Sequence, residues 1–176
     1  MALLQRTAMD MTSASGCRRC ADGRDAVSGW GRLNIAAAVG YPGRLAPIDR
    51  TEPNDDAGAR SFRVRKPTVN RNASLDFWDD QNDVYAVRLR RGGRLVATLS
   101  RATANVSLVL WKPGTQGVNK RRSLANVAAQ SVSFGRNNKV VRFGLRSRIR
   151  RAGIYYLQVS IMEPGATSYT LRTVRR

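Results

Sequence analysis

Histidine is missing from all 176 residues, and with it go the commonest general base and the commonest metal-ligating side chain. Acidic residues are scarce as well, 12 against 31 Lys and Arg. Only Lys66, Lys112, Lys120 and Lys139 are lysines, so the other 27 basic residues are arginine. The formal net charge of +19 admits two explanations, a polyanionic partner or an arginine-rich composition with no binding role. No run of about 18 apolar residues exists, which excludes a membrane-spanning helix. The first residues, MALLQRTAMDM, have neither a basic lead nor a sustained apolar stretch, so no secretory signal is expected in this chain. What is present is an ordinary globular share of hydrophobic residues, 42%, enough for one good-sized core.

The apolar pattern changes along the chain. Residues 1–41 read as helix, loop, helix, with Leu3, Leu4 and Ala8 on one face and a short run, RLNIAAAV, that stops at Gly40 and Pro42. A helix of about two turns cannot hold itself together in water and must dock on something. Residues 42–50 form a proline-bearing linker. From residue 51 to 176 apolar and polar residues alternate, the period of strands with one buried face. In DVYAVRLRRGG, Tyr85, Val87 and Leu89 point one way while Arg88 and Arg90 point the other, and Gly92-Gly93 predicts a hairpin into RLVATLS. Further strands are expected at 105–111, 139–145, 154–161 and 168–174, the last two separated by a Pro164-Gly165 turn. Short strands with turn punctuation and no helical pattern between them predict a mainly β fold, an antiparallel sandwich.

Several residues invite a chemical reading. Cys17 and Cys20 form a C-x-x-C with two arginines between them. Zinc would need two more ligands that the chain lacks, and a redox motif would sit in a βαβ context that is absent, so a local disulfide is the expected outcome. Ser13, Ser15 and Ser28 have no base to activate them. The aromatic residues Phe77, Trp78, Trp111, Tyr155, Tyr156 and Tyr169 are expected to fill the space between sheets rather than to stack on a ligand. Arginines cluster at Arg88, Arg90, Arg91 and Arg94, at Arg146, Arg148, Arg150 and Arg151, and at Arg172, Arg175 and Arg176. They are expected to be solvated unless the clusters converge.

Two stretches resemble known families. Leu3-Leu4, Thr7-Ala8 and Asp10, followed by Ser28-Gly29-Trp30-Gly31-Arg32-Leu33-Asn34 and Ala36–Val39, resemble the C-terminal end of the catalytic domain of subtilisin-like serine peptidases. The triad of that family lies upstream of these motifs, so no catalytic residue maps onto this chain. Glu52-Pro53-Asn54-Asp55, Asp83-Val84-Tyr85 through Gly92, Ala152 through Leu157, Gly165 and Tyr169-Thr170-Leu171 resemble the bacterial pre-peptidase C-terminal domain, a jelly-roll-like β-sandwich that follows such catalytic domains. The resemblance implies a non-catalytic accessory portion of a secreted protease, acting in export, stability or the holding of a protein substrate. It implies an upstream catalytic domain as partner and a short helical remnant, residues 1–41, that has lost its packing surface. A Met inside a helix resembling an interior segment suggests a truncated reading frame. The alternatives are a basic module for anionic polymers, or a fragment to be classed with its serine-endopeptidase parent.

The resemblance also implies a calcium ion. Some relatives, the collagen-binding modules of bacterial collagenases, bind calcium through a similar E-x-N-D and D-x-x-D, which here are Glu52, Asn54 and Asp55 with Asp80 and Asp83. In a chain so poor in acids, the grouping of Glu52, Asp55, Asp56, Asp79, Asp80 and Asp83 runs against the trend, and carboxylates and amides are the ligands calcium prefers. Arg50 departs from the pattern, because those modules carry a further acid there. The alternative is that the carboxylates pair with arginines such as Arg50 and Arg63 in surface salt bridges.

Overall fold

The computed structural model describes all residues except 1, 13–14, 43–48, 79, 119–124, 133–137 and 145–148. Ser13, Asp79, Arg146 and Arg148, singled out above, lie outside the described residues. The chain divides into two compact units, Met1–Pro47 and Ile48–Arg176.

The larger unit is a β-sandwich. One sheet orders its strands β1 (Phe62–Val64), β3 (Asn82–Leu89), β8 (Gly153–Ile161), β5 (Val106–Trp111) and β6 (Val127–Ser131). The other orders β2 (Thr68–Asp76), β9 (Ala166–Arg175), β4 (Leu95–Ser100) and β7 (Lys139–Phe143). All pairings are antiparallel except β1 with β3. Alternation decides what lies between the sheets. Tyr85, Val87 and Leu89 of β3 meet Leu95, Ala97 and Leu99 of β4, Leu108 and Leu110 of β5, and Leu157 and Leu171 from β8 and β9. Each fully buried leucine contributes about 1.5–3 kcal/mol of transfer free energy, so this layer dominates stability. A second, smaller cluster covers the outside of the first sheet, where Ala57 and Val118 from loops pack on Val84 and Trp111. Trp111 donates its indole N–H to Gln158 Oε1 at 2.8 Å, which satisfies the polar edge of a buried ring.

The hairpin expected at Gly92-Gly93 does not form. β3 and β4 belong to different sheets, and the turn carries the chain from one to the other. Gly92 adopts φ 78°, its N–H donates to Ile149 O at 2.9 Å, and Arg94 exchanges backbone hydrogen bonds with Arg176 instead of with β3. Alternation says which side chains face inward, but both strands face the same core, so it cannot say whether they are neighbours. Three strands escaped the sequence reading: β1, β2 and β6. β2 reads polar because its outward face is Thr68, Asn70, Asn72 and Ser74, and because Arg71 interrupts its inward set of Val69, Ala73 and Leu75.

The smaller unit carries α1 (Ala2–Arg6) and α2 (Ile35–Val39). Asn34 caps α2, its Oδ1 accepting from Ala37 N at 2.9 Å, and Gly40 ends it. Between the helices Met9 and Arg32 exchange backbone hydrogen bonds of 2.8 Å. Gly31 makes this pairing possible: it sits at φ 97°, and a Cβ there would lie 2.1 Å from the Met9 carbonyl oxygen. Leu33, Ile35 and Val39 are 54%, 65% and 84% exposed, while Ala38 alone of α2 is buried. Among the described residues no helix is long and apolar enough to cross a membrane.

Candidate metal centre

The chain reaches the sandwich through residues 49–55, and local hydrogen bonds set its path. Asp49 Oδ1 accepts from Thr51 N at 2.7 Å and from its hydroxyl at 2.6 Å, an aspartate turn, while Oδ2 accepts from Ser74 N of β2 at 3.0 Å. Asn54 O accepts from Val84 N at 2.6 Å, which ties the same segment to β3. The side chain of Asn54 turns fully inward and donates through Nδ2 to Thr51 Oγ1 at 2.9 Å, so its carbonyl oxygen is held facing away from that contact. On the other side, Asp76 and Asp80 exchange backbone hydrogen bonds of 2.8 and 2.9 Å, closing the turn that delivers Asp80. Asp83 shares the inward face of β3 with Tyr85 and is fully buried.

These three paths converge. One carboxylate oxygen from each of Glu52, Asp80 and Asp83 lies within 4.8 Å of the others. Glu52 Oε1, Asp80 Oδ1, Asp83 Oδ1 and Asn54 Oδ1 are all buried without a hydrogen-bond partner. Buried polar atoms are nearly always satisfied, so orphaned oxygens on three converging carboxylates, with a fourth on Asn54 two residues from Glu52, fit a partner that accepts lone pairs. No arginine or lysine among the described residues pairs with Glu52, Asp80 or Asp83. The salt bridges to Arg50 and Arg63 do not form, because both side chains are exposed while the carboxylates are turned in.

Electrostatics follows from this isolation. Burial pushes the Asp80 carboxyl up to about 9, with repulsion from Asp83 and Glu52 adding to it. Asp83 is pushed up to about 7 by burial and by Asp49, against hydrogen bonding from Tyr169 and the nearby Asn54 amide. Glu52 is raised by burial, partly offset by the Asn54 N–H that its Oε2 accepts. Beneath the cluster, Tyr169 of β9 donates its hydroxyl proton to Asp83 Oδ2, and the Tyr85 and Tyr169 hydroxyls lie 2.7 Å apart. Burial is the main cause that keeps both phenols protonated, followed by Asp83 for Tyr85 and by Tyr85, then Asp83, for Tyr169. The relay joins the two sheets behind the carboxylates.

An all-oxygen donor set with three carboxylates and an amide carbonyl suits a hard divalent cation, calcium above all, and offers nothing to a soft one. Of the five expected ligands, Glu52, Asp80 and Asp83 come together and Asn54 points an orphaned oxygen from the same segment. Asp55 does not join them: its neighbour Asn54 turns inward, and half-buried Asp55 acts on Glu52 and Asp80 only by like-charge repulsion. Sequence reading missed Asp49, whose signal was the Asp-x-Thr spacing, and it missed the role of Tyr169. Tyr169 is core, but its hydroxyl also completes the site.

The other sequence candidates resolve differently. Cys17 and Cys20 are joined by a disulfide. Ser28 donates its hydroxyl to Asp25 Oδ2 at 2.8 Å within a tight turn, and Ser15 bonds the Thr12 carbonyl. Tyr155 and Tyr169 lie between the sheets as expected, but Trp111 and Tyr156 do not: they alternate onto the outer face of the first sheet, where Trp111 is buried under the Ala57 and Val118 loops. Phe77 and Trp78 pack edge to face at 5.3 Å.

No protein-family model matches the chain, and no curated protein matches it. Several solved structures are similar. The periplasmic inhibitor of g-type lysozyme, PliG, from Aeromonas hydrophila has 13% identity over 65% of this chain and 94% of its own, with a TM-score of 0.49. The pre-peptidase C-terminal domain of a collagenase from Bacillus anthracis has 18% identity over 76% of this chain and 100% of its own, with a TM-score of 0.45. PliG from Salmonella Typhimurium has 16% identity over 65% and 96%, with a TM-score of 0.41.

Proposed function

We propose that this chain is the non-catalytic C-terminal accessory portion of a secreted subtilisin-like protease, and that its β-sandwich is a calcium-locked module. The order of motifs resembling the subtilisin-like and pre-peptidase families supports the first half, together with the absence of histidine. One observation carries the second: four buried, partnerless oxygens on Glu52, Asn54, Asp80 and Asp83, with no Arg or Lys among the described residues paired to the three carboxylates. When bound, calcium supplies the positive charge that the three carboxylates lack.

The residues explain what such an ion would do mechanically. Glu52 and Asn54 belong to the segment leading into the sandwich, Asp80 to the β2–β3 turn, and Asp83 to β3. A single ion held by all of them fixes how the preceding chain meets the sheet. In a protease whose catalytic domain lies ahead of that segment, the ion would set the presentation of the accessory domain.

The experiment is a thermal melt of the chain in millimolar calcium and in chelator. A ligand bound only by the folded state, at about 100 times its dissociation constant, adds about 2.7 kcal/mol, which raises the midpoint by about 10 °C for a unit of this size. An unchanged midpoint removes calcium from the proposal.

A further inference from the structure

At the opposite end of the same sandwich the charge reverses. β3 runs from Asp83 to Arg88 in five residues, a span of about 17 Å. Val64 pairs with Val87 in parallel register, which brings Arg65 alongside Arg88, and Arg88 in turn sits opposite Ile154 of β8. The C-terminal end of β9 and the turn before β4 close on the same place. The result is a cleft of about 690 Å³ lined by Arg65, Arg88, Arg90, Arg94, Arg175 and Arg176. Two adjoining depressions share Arg65 with it and add Arg63, Lys66 and Arg71. No Asp or Glu side chain is among the residues lining the three. Two arginine clusters far apart in sequence, 88–94 and 175–176, therefore converge.

The floor of the cleft is built. The Arg175 guanidinium donates to the carbonyls of Arg88 at 3.0 Å, Arg65 at 2.7 Å and Lys66 at 2.7 Å, so it staples β9 to β3 and to the β1–β2 connection. Arg71 lies over the Phe62 ring at 4.5 Å. Arg65, Arg88, Arg90, Arg94 and Arg176 are exposed and engage no carboxylate among the described residues.

Arginine-rich composition does not account for this. The outer face of the second sheet carries Thr68, Asn70, Asn72, Ser74 and Thr170, with Arg142 and Arg172 as its arginines. Other exposed arginines, Arg50, Arg60, Arg101, Arg150 and Arg151 among them, do not line the cleft; among the described residues, six arginines share the cleft against two on that outer face. Guanidinium forks pair bidentately with sulfate, carboxylate and phosphate oxygens. The cleft offers nothing else to read: its other lining residues are Pro67, Leu89, Gly93, Ala152 and Gly153, with no aromatic ring for a base and no amide for a base edge.

We propose that this cleft binds a linear acidic polysaccharide through its sulfate or carboxylate groups, a binding site independent of the calcium reading above. The test uses the full chain in calcium with heparin as probe, titrated over a range of sodium chloride. Because a chain of net charge +19 binds any polyanion weakly, the decisive comparison is between two variants of equal net charge. Arg65→Gln/Arg88→Gln should weaken heparin binding at least about tenfold at 0.15 M salt and flatten the slope of log K against log salt by about 1.4. Arg142→Gln/Arg172→Gln should weaken it less than about twofold. An Arg65→Lys/Arg88→Lys variant, which keeps the charge, should keep the slope and lose part of the affinity, and it serves if the glutamine pair fails to fold. Equal losses in the cleft pair and the control pair would overturn the proposal. So would displacement of heparin by duplex DNA at equal charge concentration, which would make the ligand a nucleic acid. The calcium melt and the salt slope are separate readouts, so either reading can fail without the other.

Discussion

Asp83 and Arg88 sit on one strand, five residues apart, and the sandwich treats their two charges in opposite ways. Around Asp83 the chain folds inward. The carboxylates are buried together, their free oxygens face one another, and a phenol from the other sheet donates to the deepest of them. Around Arg88 the arginines splay outward into solvent, and only Arg175 is drawn in to bond backbone carbonyls. Like charges in water repel weakly and are screened within about 10 Å, so the basic end is tolerable with nothing bound. Like charges out of water are not tolerable, so the acidic end must either hold protons or hold a cation. Both ends gather like charges; burial is what separates a site that requires a counter-ion from one that merely accepts it.

The hardest way to break that comparison is to remove the deepest acid. Asp83→Ala takes away one carboxylate and leaves the hydroxyl of Tyr169, 2% exposed, without its acceptor. A buried partner lost in this way costs about 3 kcal/mol, and urea unfolding in calcium should show a loss of that size. A loss below about 1 kcal/mol would mean the buried relay contributes little.

pH acts on Asp83 and Asp80 together and comes next. Both are raised in the folded chain, to about 7 and about 9, from an ordinary value near 4. Above pH 4 the unfolded chain has released protons that the folded, calcium-free chain still holds, so stability falls as pH rises. The contribution of these groups is fullest below about pH 4 and is lost as pH climbs through 7 and 9. In chelator the melting midpoint should fall monotonically between pH 5 and 9. In saturating calcium the fall should vanish, since the ion holds both carboxylates ionised and its binding releases their protons. A calcium-free midpoint that rises over this window would contradict the burial of the acids.

How much of this could be read from sequence depends on how local each feature is. The inward faces of β3, β4, β5, β8 and β9 were legible because alternation is a property of neighbouring residues. Strand pairing was not, since the Gly92-Gly93 turn looks like a hairpin whether it joins two neighbours or crosses between sheets. The acidic cluster was legible as an excess of Asp and Glu in two short windows, 52–56 and 79–83. Its completion was not, because Tyr169 reaches Asp83 across 86 positions and two sheets. The arginine cleft lies at the same limit: each cluster was visible in the sequence, but that Arg65, Arg88 and Arg175 meet is a consequence of strand register alone.

Asp80→Asn sharpens the comparison with a smaller effect of opposite signs. Without calcium at pH 8 the raised Asp80 must regain a proton on folding, and asparagine removes that cost while leaving an oxygen of the same shape. In chelator at pH 8 it should raise the midpoint by about 3 °C. In calcium it should lower the midpoint and abolish most of the calcium shift, because a carboxylate ligand has become a neutral one. A substitution that lowers both midpoints alike would mean Asp80 serves packing rather than an ion.

The smallest effects belong to the basic end, where the comparison predicts a division within one residue type. Arg175→Gln removes three donated hydrogen bonds, at 2.7 to 3.0 Å, that hold β9 against β3 and the β1–β2 connection. Net contributions of about 1 kcal/mol are usual for such bonds, and partial exposure reduces what each is worth, so a loss of about 1 kcal/mol in all is expected. Arg88→Gln removes an exposed cation that engages no carboxylate and whose neighbours Arg65, Arg90 and Arg94 repel it. Its stability should change by less than about 0.5 kcal/mol, and a slight gain at low salt fits the relief of repulsion. If urea unfolding gave Arg88→Gln the larger cost, the exposed arginines would be holding the fold together, and the contrast between a buried acidic end and a solvated basic end would fail.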